Sequence, residues 1–203
     1  MSYSATLKRN REGRTNYRKR AAILISKSPF VTIKISSQNV MCQVLRPALG
    51  GDFVISSVHS RELKNYGWKG SMNSIPACYL IGLLAGKKTL AAGIKNAILY
   101  TGNDHFTSRI AACLKGIVAA GLDVPVSKNI LPDDTRITGK HISEYAGKLN
   151  SDSEKYEERF SSLLKAGLKP EDYPFHCEVV RRKILEGKKG EVNLREHEKE
   201  EAG

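Results

Sequence analysis

The sequence has no long apolar run. Its longest, Ile75 to Ala85, is about 11 residues and is broken by Gly82, whereas a bilayer-spanning helix needs roughly 20. An integral helical membrane protein is therefore excluded. Behind the basic N-terminus stand only Ala21-Ala22-Ile23-Leu24-Ile25, too few for the apolar region of a signal peptide, so an intracellular location is expected. Cysteine is sparse too. The four, at 42, 78, 113 and 177, form no CxxC pair, which excludes a disulfide-dense secreted scaffold and leaves buried, reduced thiols as the expectation. The five histidines lack an i, i+4 partner or a cysteine pair at zinc spacing, and His176-Cys177 are adjacent, a poor geometry for two ligands of one metal.

Acid is scarce where base is plentiful. Over the whole chain 33 Lys and Arg face 21 Asp and Glu, a net charge of +12. Residues 1–145 hold 21 bases and 8 acids, while 146–203 hold 12 and 13. The excess is densest in the first 20 residues, where Lys8, Arg9, Arg11, Arg14, Arg18, Lys19 and Arg20 face Glu12 alone. A stretch with so little apolar surface cannot fold by itself. Arginine outnumbers lysine there, and its planar fork suits phosphate and stacks on bases. With Tyr17 among the charges, the segment reads as a nucleic-acid-binding arm, the alternative being a solvated tail that only aids solubility.

Hydrophobic residues make up 40% of the chain, enough for a packed core. Tyr17 to Ser26 reads as a short helix stopped by Ser28-Pro29. Phe30 to Ser36 alternates with Val31, Ile33 and Ile35 on one face, the mark of a half-buried strand. Val40 to Leu45 and Phe53 to Val58 follow through short polar turns, so the three form an antiparallel meander. The period then lengthens. Asn73 and Ser74 can cap a helix with Pro76 in its first turn, ending at Gly93. Ala97 to Tyr100 reads as a strand buried on both faces. Phe106, Ile110, Leu114, Ile117 and Val118 mark a second core helix, and Leu122 to Val126 a last, edge strand. The expected fold is α/β: a mixed five-stranded sheet, meander first and β-α-β-α-β after, covered by helices. Beyond it, helices are expected over Gly139 to Leu149, from a Ser151-x-x-Glu154 capping box through Phe160 and Leu164, and over Pro174 to Glu186. The division is then an arm over 1–20, an α/β domain over 21–145, a helical extension over 146–187 and a mobile charged tail over 188–203.

Catalytic patterns fare poorly. Gly86-Lys87-Lys88-Thr89 resembles part of a phosphate-binding loop, but Gly82 is one residue too close and Thr89 one too late. No G-x-S-x-G elbow is present, and no strand carries the central carboxylate that two-metal nucleic-acid hydrolysis needs. Tyr66-Gly67-Trp68-Lys69-Gly70 is a glycine-flanked aromatic loop with Lys64 beside it. Either Trp68 fills the core beneath the loop, or the lysines touch phosphate where the backbone comes close to RNA.

Several blocks, in collinear order, carry a resemblance. Arg14-Thr15-Asn16-Tyr17 with its basic neighbours opens it, followed by Ser56 to Ser60, Glu62-Leu63 and Tyr66-Gly67-Trp68. Asn73 to Gly86, Leu114-Lys115-Gly116, Ala120 to Pro125 and Arg136-x-x-Gly139-x-His141-Ile142 complete it. Over residues 8–145 the chain resembles the archaeal/eukaryotic branch of the universal L-eighteen family of large-subunit ribosomal proteins. It departs from the family pattern at the turn Ser36-Ser37-Gln38-Asn39, which lacks the usual basic residues, and at Tyr100, which replaces an acid.

The resemblance implies a ribonuclease-H-like sheet order without catalysis, and binding of 5S rRNA by the arm and one face of the sheet domain. It further implies large-subunit rRNA and the universal L-five protein as neighbours, and a cytoplasmic, ribosomal location. The expected RNA-binding residues are Lys8, Arg9, Arg11, Arg14, Tyr17, Arg18, Lys19, Arg20, Lys64, Trp68, Lys69, Arg136 and His141, with helix capping the alternative for the last two. No cofactor, metal or catalytic residue is expected. Two readings of other classes stand beside this one. A ribonuclease-H-like RNA-processing enzyme would depend on Asp52, Asp104 or Asp123. An interaction module with an incidental basic tail would bind RNA without preference for its structure.

Overall fold

The computed structural model describes residues 6–149 and 152–187; the expected tail over 188–203 lies outside them. The chain begins with a single helical turn, α1 (Lys8–Arg11), and a ten-residue helix, α2 (Tyr17–Ser26). The side chain of Asn16 caps α2 by accepting from the Lys19 N–H at 3.1 Å. Alternating residues then give β1 (Phe30–Ile35), β2 (Val40–Arg46) and β3 (Phe53–His59), each antiparallel to the next. Register follows burial: Ile33 pairs with Cys42 and Cys42 with Val58, and all three sit on the face turned to the helices.

A 3₁₀ segment, Ser60–Tyr66, leads to α3 (Ile75–Ala91), where the Ser74 hydroxyl accepts from the Ala77 N–H and Pro76 occupies the first turn. β4 (Ile98–Leu99) returns parallel to β1, so the sheet order is β3-β2-β1-β4. After it come α4 (Ser108–Ala119), α5 (Asp134–Thr138), α6 (Lys140–Leu149), α7 (Ser153–Lys165) and α8 (Tyr173–Glu186).

Three sequence expectations need correction. The sheet has four strands among the described residues, not five. Where the fifth was expected, a single parallel bridge joins Asn96 and Asp123. The Ala97 N–H donates to the Asp123 carbonyl and the Asp123 N–H to the Lys95 carbonyl, both at 2.9 Å. Two residues later Pro125 has no N–H to offer, which fits a ladder that goes no further. Secondly, Ile98 and Leu99 are half-buried rather than enclosed on both faces. Thirdly, Phe106 precedes the Thr107 cap of α4 and is exposed, as is Val118 at the far end of that helix. Ser151 of the expected capping box lies outside the described residues, and α7 begins at Ser153.

The core forms where α3 and α4 cross between the sheet and the C-terminal helices. α3 is buried from Pro76 to Gly86 without interruption, as a helix enclosed on every side must be. Its contact with α4 is made by backbone. A methyl group on Gly82 would be driven into the Cys113 carbonyl, and one on Gly116 into the Tyr79 carbonyl. Neither obstacle is a flexible side chain. Gly82→Ala is therefore expected to cost more than about 2 kcal/mol despite its better helix propensity. Gly50→Ala, with open space around it, should change stability by less than about 0.5 kcal/mol. Denaturant unfolding of the two variants checks the contrast.

Candidate nucleic-acid interface

The N-terminal residues fold into a hook. Glu12 caps the end of α1, and Gly13 takes φ +65° to turn the chain back. The N–H groups of Arg14 and Thr15 both donate to the Arg9 carbonyl, at 2.9 and 3.2 Å, and Arg9 Nε donates to Thr15 Oγ1 at 2.9 Å. The hook lies against the loop after β4. There the Asn103 side-chain amide donates to the Gly13 carbonyl, and Lys19 Nζ donates to the Gly102 carbonyl at 3.1 Å. Hook, loop and sheet enclose a cleft of about 690 Å³ whose walls include Arg9, Arg14, Tyr17, Lys34 and Tyr100.

The cations of this region differ in what holds them. Arg20 is committed to the fold. Its guanidinium meets Asp52 with two bonds, at 2.5 and 2.6 Å, and reaches the Ala48 carbonyl at 3.3 Å, with both side chains only about one fifth exposed. The hydrogen bond from Arg20 to Asp52 raises the Arg20 pKa above its usual value. Lys34 pairs with Asp104 at 2.6 Å, while Arg14 and Lys8 share Glu12 at 3.0 and 4.0 Å in exposed pairs that hold little energy. Arg11 and Arg18 are exposed and have no acidic partner among the described residues. Tyr17, at the start of α2, keeps more than a third of its surface open.

The Tyr66–Gly70 loop is a second, separate place. Trp68 is 3% exposed, stacks on His176 at 5.2 Å and meets Tyr173 edge-on at 5.6 Å. Its indole N–H donates to the Ser71 carbonyl at 3.3 Å. Trp68 is a core residue, and neither ring face is open to a base. Its neighbour Lys69 is half-buried and Lys64 exposed, and both border a groove of about 570 Å³ with Ala166 on its far side. Arg136 is exposed within α5, and His141 is half-buried in the first turn of α6, its Nδ1 buried without a hydrogen-bond partner. Neither caps a helix; Gly139 ends α5.

The other motifs resolve as structure. Gly86 to Thr89 lies within α3. Lys87 donates to the Ile184 carbonyl at 3.0 Å and to that of Leu185, and Lys88 pairs with Glu62 at 2.6 Å. The three carboxylates of the nuclease reading do not converge. Asp52 holds Arg20, Asp104 holds Lys34, and Asp123 is at the isolated bridge. Sequence reasoning gave Asp52 no part in the arm and passed over Asn103. The partner of Asp52 is 32 residues away, and Asn103 stands in a Gly-Asn-Asp turn that any exposed loop could carry.

Fold and charge thus describe an α/β protein with a preformed basic hook beside its sheet. The chain belongs to the family described as ribosomal large subunit proteins 60S L5 and 50S L18, which matches residues 1–110. It is 44% identical over 187 residues to the large ribosomal subunit protein uL18 of Thermofilum pendens, covering 91% of this chain and 95% of that one. With the protein of the same name from Ignicoccus hospitalis it shares 46% identity over 193 residues, 93% of this chain and 94% of the other. The family resemblance seen in the sequence is borne out.

The buried His176 ties the C-terminal helices to the loop. It is 0% exposed, and its Nε2 accepts from the Lys69 N–H at 3.1 Å. Burial, reinforced by the charges of Lys69 and Lys183, pushes its pKa from 6.5 down to about 4. The folded state therefore holds this imidazole neutral. Its contribution is complete above about pH 6.5 and is lost as the pH falls toward 4, because the unfolded chain takes the proton first. Relative to His176→Gln, which keeps an acceptor for Lys69 but cannot titrate, the wild type should lose up to about 3 kcal/mol over that interval. Unfolding free energies of both proteins between pH 7 and pH 4 measure the difference.

Proposed function

We propose that this chain is a structural RNA-binding component of the large ribosomal subunit. It binds 5S rRNA with its N-terminal hook and helps seat that RNA on the large-subunit rRNA beside the universal L-five protein. The observation that carries the reading is the hook itself: a basic turn of set shape, with Arg11 and Arg18 uncommitted and Tyr17 open beside them. Family membership supports the same reading. Phosphate contacts by arginine position the protein on folded RNA, and the fixed spacing of those charges reads RNA shape rather than base edges. Arg9, Arg11, Arg14, Arg18, Lys8 and Lys19 neutralise phosphates in this scheme, and Tyr17 stacks on a base or ribose. Arg20 acts one step back, anchoring α2 through Asp52. Lys64 and Lys69 offer a second, weaker basic edge, with Arg136 and His141 as further candidates. The role is architectural and not catalytic.

Salt dependence tests this directly. With about six phosphates neutralised, the log–log slope of 5S rRNA affinity against salt is expected near −4 to −5. Replacing Arg11, Arg14 and Arg18 together by Gln should make it shallower by about 2 to 3. An unrelated folded RNA should bind the wild type more weakly at moderate salt. Equal affinity for both RNAs, or an unchanged slope in the triple variant, contradicts the reading.

A further inference from the structure

We propose that Asn103 is a positioning residue for RNA binding: it latches the Gly13 carbonyl and so sets the arginine hook before RNA arrives. The inference rests on the hook being the RNA-binding element and assigns a task to a residue outside it. A helical turn of four residues cannot hold itself in water, because nucleation fixes several dihedrals for one hydrogen bond. The bonds from Arg14 and Thr15 to the Arg9 carbonyl close the hook but do not fasten it to anything. The loop after β4 does. Asn103 holds the bend at Gly13, and the neighbouring Gly102 carbonyl takes Lys19 at 3.1 Å.

That loop is itself tied to the sheet. The Asp104 N–H donates to the Thr101 carbonyl at 3.0 Å, and its carboxylate holds Lys34 of β1 at 2.6 Å. At the other end of the arm, Arg20 is locked to Asp52 in the turn before β3. The segment carrying Arg14, Tyr17 and Arg18 is therefore pinned at Gly13 and at Arg20. Asn103 is exposed and uncharged, and the hydrogen bond its side chain makes is the latch.

Ordering a chain segment costs conformational entropy, and a segment ordered beforehand does not meet that cost on binding. Asn103→Ala should therefore weaken 5S rRNA binding by about three- to tenfold, the range expected for one net hydrogen bond. The salt slope should stay unchanged, since no phosphate contact is removed. Two measurements on the full chain decide the matter. Amide hydrogen exchange of Arg14 and Thr15 in the protein without RNA should accelerate in Asn103→Ala, while the β1–β2 ladder amides keep wild-type rates and report an intact fold. A salt titration with 5S rRNA should give a parallel line of lower affinity. Weaker binding with unaltered exchange would mean that Asn103 touches RNA directly, and wild-type affinity would mean that the latch is idle; either overturns the proposal. The triple arginine variant separates the two levels. If it binds as the wild type does, the hook is not the RNA-binding element. If it binds with a shallower slope while Asn103→Ala matches the wild type, the hook stands and the latch alone falls.

Discussion

The close crossing of α3 and α4 is the constraint from which the rest of the arrangement follows. With no side chain at Gly82 or Gly116, each backbone rests on a carbonyl of the other helix, at Cys113 and Tyr79. Gly86 continues the seam, its hydrogen facing the Ala120 methyl group. Interiors are packed too densely for such a contact to shift gradually, so the crossing sets where both ends of α4 emerge. One side of α3 takes the sheet through β2 and β3, and another takes α5 and α8. The start of α4 at Ser108 then fixes the return from β4, and that return carries Gly102, Asn103 and Asp104 to the basic hook. A contact deep in the core thus decides the position of a surface element that touches none of it.

Charge is arranged on this frame by allocation more than by amount. Five of the eight acids of residues 1–145 pair with a nearby cation, four of them across elements: Asp52 with Arg20, Glu62 with Lys88, Asp104 with Lys34 and Asp134 with Lys115. Most of these pairs are exposed and contribute little energy. Their effect is geometric, since each ties one element to another. Arg20–Asp52 is the most enclosed and joins α2 to the turn before β3. The scarcity of acid leaves Arg11 and Arg18 without a counter-charge among the described residues. Positive potential is therefore concentrated on an element whose shape is already set.

Much of this was legible in the sequence, and the boundary is physical. The alternation in Phe30 to Ile35 and the short polar turns after it were enough to read the three-strand antiparallel meander, but not its register, which shifts between Val44 and Leu45 where β2 meets β3. The serine cap, Pro76 and apolar spacing located α3. The fifth strand failed because Leu122 to Val126 has strand composition but Pro125 cannot donate to a ladder. Phe106 failed because helical spacing was extended one residue past the cap at Thr107. Local pattern could not decide Trp68, whose partners Tyr173 and His176 are more than 100 residues away. Likewise, composition marked the arm as basic but could not show that Arg20 belongs to the fold.

The arm also changes in character between the two levels of description. Read from composition alone it would be a polyelectrolyte with no shape of its own, and ordering it would cost about 1–2 kcal/mol for each backbone residue fixed. As structure it is a short hook latched at Gly13 and anchored at Arg20, with a glycine supplying the one left-handed turn that a side chain would resist. Rigid RNA presents phosphates at fixed separations, and charges on a preformed turn can match those separations without first sorting through alternatives. Under the proposed function, selectivity for one folded RNA over another arises from the geometry of the cations. A tail of the same composition would supply affinity alone, since counterion release does not depend on where the phosphates lie.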